Sequence, residues 1–75
     1  MKITIENTDK IVDLNGVPAR IWEGTTDSGD PVMCFVTRIA PLTHDEAVNA
    51  RFASELQETR QPSAYAQGIP LRMIL

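Results

Sequence analysis

The sequence predicts an α+β domain: a small antiparallel sheet of about four to five strands, one helix on one sheet face, and a short C-terminal strand. Three observations predict it. Lys2-Ile3-Thr4-Ile5-Glu6 alternates apolar and polar residues strictly, the period of a half-buried strand. Two β-rich runs flank the turn-forming Thr25-Thr26-Asp27-Ser28-Gly29-Asp30-Pro31, which predicts a central hairpin over residues 17–40. Beyond it, Val48, Phe52 and Leu56 recur every four residues, the spacing of one helix face.

Each element has its local reason. Asn7-Thr8-Asp9 is a turn cluster, so the first strand is expected to stop there and a second to run over Ile11–Leu14. Asn15-Gly16 closes that second strand, because this dipeptide accepts the positive φ angles of a two-residue hairpin loop. The strand from Val17 to Gly24 carries Pro18 near its start, which suits a sheet edge or a strand entrance. With Ser28-Gly29 as the tip, Trp22 faces Phe35 and Ile21 faces Val36. One hairpin face then holds Trp22, Met33, Phe35 and Ile39, and the other Val17, Ala19, Ile21, Val32, Cys34 and Val36. Thr43 and Glu46 are spaced as a capping box, so a helix is expected over about residues 44–60, ended by Pro62. Ile69 to Leu75 reads as the final strand.

The 75 residues form a single domain, 1–75. A chain this short buries only about 60% of its unfolded surface, so its own core is marginal. One cysteine excludes an internal disulfide, and one Cys with one His makes no metal staple. Both hairpin faces are apolar while a single helix covers one of them. The leftover face implies a homo-oligomer, a dimer or higher.

Charge and motifs narrow the function. A net charge of −3 disfavours direct nucleic-acid binding, which draws its affinity from neutralised phosphates. No apolar run is long enough to span a membrane, and Met1 to Asn7 lacks the apolar region of an export signal, so a cytoplasmic protein is expected. The glycines at 16, 24, 29 and 68 match no phosphate-loop spacing. Cys34 reads as a structural strand residue and His44 as a first-turn helix residue. With no nucleophile–base set, neither an enzyme nor a cofactor is expected.

Arginine supplies five of the seven basic residues, and Arg20, Arg38 and Arg72 fall in predicted strands. A guanidinium fork fits a phosphate or a carboxylate. These side chains either form ion pairs with the many acids or converge between subunits as an anion pocket, with Trp22 or Phe35 stacking on a base. Asp27 and Asp30 at the hairpin tip lack the ligand count of a calcium loop and would instead meet a basic protein surface.

The stretch Lys10-Ile11-Val12-Asp13-Leu14-Asn15-Gly16-Val17-Pro18-Ala19-Arg20-Ile21-Trp22-Glu23-Gly24 and the ending Pro70-Leu71-Arg72-Met73-Ile74-Leu75 resemble small accessory proteins of bacteriophages and prophages. The resemblance spans most of the chain and carries no catalytic motif, so no functional residue transfers. It implies action by stoichiometric binding in a bacterial host. Two modes fit: inhibition of a host defence protein through the acidic surface, or sequestration of a small nucleotide signal by an oligomer.

Overall fold

The computed structural model describes residues 1–64. Three antiparallel strands, β1 (Ile3–Leu14), β2 (Val17–Thr26) and β3 (Pro31–Val36), form one sheet in the order β1-β2-β3, followed by the helix α1 (Glu46–Leu56). The predicted strand at 69–75, with Arg72, lies outside the described residues.

β1 corrects the first expectation. Asn7-Thr8-Asp9 does not end a strand but forms a bulge inside one. Pairing runs Asn7↔Trp22 and resumes at Ile11↔Arg20, so Thr8, Asp9 and Lys10 together oppose Ile21. The bulge deprives the Ile21 carbonyl of a ladder partner, and the buried Thr8 hydroxyl donates to it at 2.5 Å. A polar cluster therefore reads as a turn in sequence and acts as a patch for the ladder in three dimensions.

The Asn15-Gly16 loop forms as expected, with φ of 53° and 87°, and the Asp13 carboxylate accepts from the Gly16 N–H at 2.5 Å. Pro18 sits at a strand entrance. β3 reaches no further along β2 than Arg20↔Val36, so the missing N–H breaks no bond there.

The second hairpin differs from expectation by one residue. Its loop is Asp27-Ser28-Gly29. The Gly29 N–H donates to Thr26 O at 2.9 Å, Gly29 has φ 85°, and the Thr26 N–H donates to Asp30 O at 2.9 Å. This is a three-residue loop with glycine in the left-handed position, centred on Ser28 alone. Trp22 therefore pairs with Cys34, and Ile21 with Phe35. A one-residue slip exchanges the two faces of β3. Trp22 shares its face with Val32, Cys34 and Val36, while Ala19 and Ile21 share theirs with Met33 and Phe35. β3 also ends at Val36, so the hairpin does not extend to residue 40.

The helix starts at Glu46 because Asp45, not Thr43, is its N-cap. The Asp45 carboxylate accepts from Ala47 N–H at 2.8 Å and Val48 N–H at 3.2 Å. Thr43 Oγ1 accepts from the Asp45 N–H at 3.1 Å, which supports the cap and leaves no capping box. His44 consequently precedes the helix and is exposed. The helix ends at Leu56 with Gln57 as C-cap, short of Arg60. Val48, Phe52 and Leu56 are its half-buried apolar stripe, and the Asn7 side-chain amide on the Trp22 face donates to Leu56 O at 2.8 Å. Among the described residues the fully buried apolar side chains are Ala19 and Ile21, a small core.

Candidate binding cleft

Residues two apart in a strand share a face, so β2 presents Arg20 beside Trp22. Past the end of β3 the chain leaves the sheet, and residues 37–40 carry Arg38 over the same face. Leu56 and Gln57 close the other side from the helix end. Together these residues line an open cleft of about 450 Å³. Trp22 and Arg20 are half-buried and Arg38 is exposed.

The electrostatics of the cleft are one-sided. No acidic residue lines it, and among the described residues neither Arg20 nor Arg38 has an ion-pair partner. Two guanidiniums beside an indole ring offer forked donors and a stacking surface in one place. Phe35 does not join them: in the observed register it lies on the opposite face, beside Ile21. Arg72 lies outside the described residues. Asp27 and Asp30 are exposed at the hairpin end, away from this cleft's lining.

Trp22 and Leu56 also border a second cleft of about 450 Å³, lined by Glu6, Phe52, Glu55, Glu58 and Arg60 among others. One indole thus divides a basic cleft from a largely acidic one. Arg60 lies beyond the helix end and is a tie across the fold. Glu6 and Glu23 oppose each other across β1 and β2, a like-charge pair that repels. The Arg60 guanidinium sits between them, Nε 3.4 Å from Glu6 and Nη1 3.2 Å from Glu23. Its backbone continues the sheet: the Arg60 N–H donates to Asn7 O at 3.2 Å, and Arg60 O accepts from the Asp9 N–H at 3.0 Å. Glu6 and Glu23 signal the need for a cation only once the strand register is known.

Glu23 also accepts from the Ser63 N–H at 2.9 Å and the Ser63 hydroxyl at 2.6 Å. Burial alone would raise its pKa. The Ser63 bonds, with the hydrogen bond and charge of Arg60, outweigh that and lower it. A carboxylate lowered on folding stabilises the fold above its unfolded pKa and loses that contribution as pH falls through the folded one. Thermal melts are therefore expected to lose stability as pH falls through the ordinary glutamate range and on through the lowered pKa of folded Glu23. Glu23→Gln should flatten that acid limb, and an unchanged limb would remove Glu23 from the account.

No helix among the described residues is long and apolar enough to cross a membrane. No family model matches the chain, and neither a curated protein nor a solved structure matches it significantly.

Proposed function

We propose that this chain is a non-catalytic, phage-type accessory protein of the bacterial cytoplasm that binds and sequesters a small nucleotide signal. Arg20 and Arg38 hold the phosphates and Trp22 stacks on the base. The observation that carries this reading is the convergence of two guanidiniums, free of carboxylate partners among the described residues, on the only tryptophan of the chain. An intramolecular ion pair would have made either arginine structural. The net charge of −3 does not oppose the reading, because the field inside a cleft follows its own lining.

Thermal shift against cyclic mononucleotides, cyclic dinucleotides and ADP-ribose-type nucleotides tests it. At a hundredfold excess over Kd, ligand binding raises stability by about 2.7 kcal/mol, on the order of 10 °C for a domain of this size. Arg20→Glu should abolish the shift without lowering the melting temperature of the free protein. A flat response to every nucleotide removes the reading.

A second mode, inhibition of a host defence protein with a basic surface, is favoured by one observation. Asp27 and Asp30 are exposed together at the hairpin end with no cation beside either among the described residues. Association by that route weakens with added salt and with charge reversal at both positions. Nucleotide capture depends instead on Arg20 and Trp22.

A further inference from the structure

We infer, building on the nucleotide reading above, that the Arg20–Trp22–Arg38 cleft takes an open-chain adenine nucleotide, and that Gln57 reads the edge of its base.

Gln57 is held in place by backbone while its side chain stays free. Asn7 stands opposite Trp22 in the β1–β2 ladder, and its side-chain amide donates to Leu56 O at 2.8 Å. That bond ties the last turn of α1 to the strand pair that carries the indole. The next residue, Gln57, lines the same cleft as Trp22. It is the C-cap of the helix, and its backbone N–H donates to Ser54 O at 3.2 Å. The Gln57 side-chain amide is exposed and makes no bond among the described residues. One donor pair and one acceptor are therefore presented beside the ring with no role in the fold.

The lining selects the ligand by charge, ring count and base edge. Two guanidiniums and no carboxylate leave two positive charges for a ligand to neutralise. The phosphodiester of a cyclic mononucleotide carries only one negative charge. A cyclic dinucleotide carries two but brings two bases, and among the described residues Trp22 is the one aromatic ring in this lining. A single base on an open phosphate chain matches both counts. The helix then orients it. Leu56 and Gln57 turn the negative, C-terminal end of α1 to the cleft, and no basic residue in its last turn offsets that end. Phosphate is repelled there and donor groups are attracted, so the base lies toward Gln57 and the phosphates toward Arg20 and Arg38. A glutamine amide matches the amino and ring-nitrogen edge of adenine with one acceptor and one donor. Guanine presents two adjacent donors, N1–H and its exocyclic amino group, which suit a carboxylate, and no acidic residue lines the cleft.

Calorimetric titration of the full-length protein with ADP, ADP-ribose, GDP, cyclic AMP, cyclic di-AMP and inorganic pyrophosphate tests this. ADP is expected to bind about tenfold tighter than GDP or cyclic AMP. Gln57→Ala should bind ADP and GDP alike and leave the affinity for pyrophosphate unchanged. Gln57→Glu supplies the carboxylate that guanine needs and should turn the preference toward GDP. A residue that only supported the fold would not exchange one base for the other, and both variants are expected to melt as the parent protein does. GDP binding as tightly as ADP, a cyclic nucleotide binding more tightly, or an ADP preference that survives Gln57→Ala overturns the inference and leaves the nucleotide reading standing. Heat from none of these ligands overturns both.

Discussion

Gly24→Ala is expected to unfold this protein or nearly so, at a cost of about 3 kcal/mol or more. A Cβ at that position would sit 1.7 Å from the Thr4 carbonyl oxygen and 2.7 Å from the Ile5 Cα. Both obstacles are backbone of the neighbouring strand, so no side chain can swing aside and β1 itself must move. The strands are closest here because Ile5↔Gly24 alternates with the bonded pairs of the ladder. Gly16 makes the informative comparison. A methyl group there meets nothing within 4 Å, and the penalty is only that of an L-residue at φ +87°, about 1–2 kcal/mol. Equilibrium unfolding of Gly24→Ala and Gly16→Ala should rank them in that order. Equal losses would show that close strand contact is not what Gly24 permits.

Ile21→Ala is expected to cost about 2–5 kcal/mol, since a fully buried isoleucine loses its transfer free energy and leaves a cavity. The effect is large relative to the total stability of so small a domain, about 4–11 kcal/mol by length. Ile21 lies where the β1 bulge, the Thr8 hydroxyl and Phe35 of β3 meet, so no neighbouring core layer can close the gap. Val17→Ala, at a position 49% exposed on the same strand face, should cost well under half as much in denaturant titrations. If the two losses match, the core does not centre on Ile21.

How much of this was legible in the residues depends on the range of the interaction that decides each feature. Asn15-Gly16 encodes its own turn, and the Val48-Phe52-Leu56 stripe encodes the side of the helix turned inward. The α+β class follows from that stripe together with the strict alternation of Lys2 to Glu6. Three other features are decided by competition between neighbours. Thr43 and Asp45 can both cap a helix, and Asp45 has the extended backbone and two N–H groups within reach. Ser28-Gly29 suits a two-residue tip, but Gly29 at φ 85° completes a three-residue loop and moves the register by one. Thr8 resembles a turn residue until Ile21 is seen to need its hydroxyl.

The candidate site divides along the same line. Arg20 and Trp22 share a face in any strand register, so their proximity is local and was legible. Phe35 depended on the hairpin register and fell on the other face. Arg38 reaches the cleft not as a strand residue but through the segment that leaves the sheet after Val36. Arg60 was hidden, because its role comes from two glutamates brought opposite each other from distant parts of the chain.

Trp22 is the only tryptophan, which makes its fluorescence a direct reporter of the cleft. The most direct test of the central claim is a titration of that emission with the nucleotide giving the largest thermal shift, or with the full panel if none does. Saturable quenching by one nucleotide class is expected, with one ligand per cleft, lost in Arg20→Glu and weakened in Arg38→Ala. An emission unmoved by every nucleotide, or quenching that survives Arg20→Glu, would contradict it.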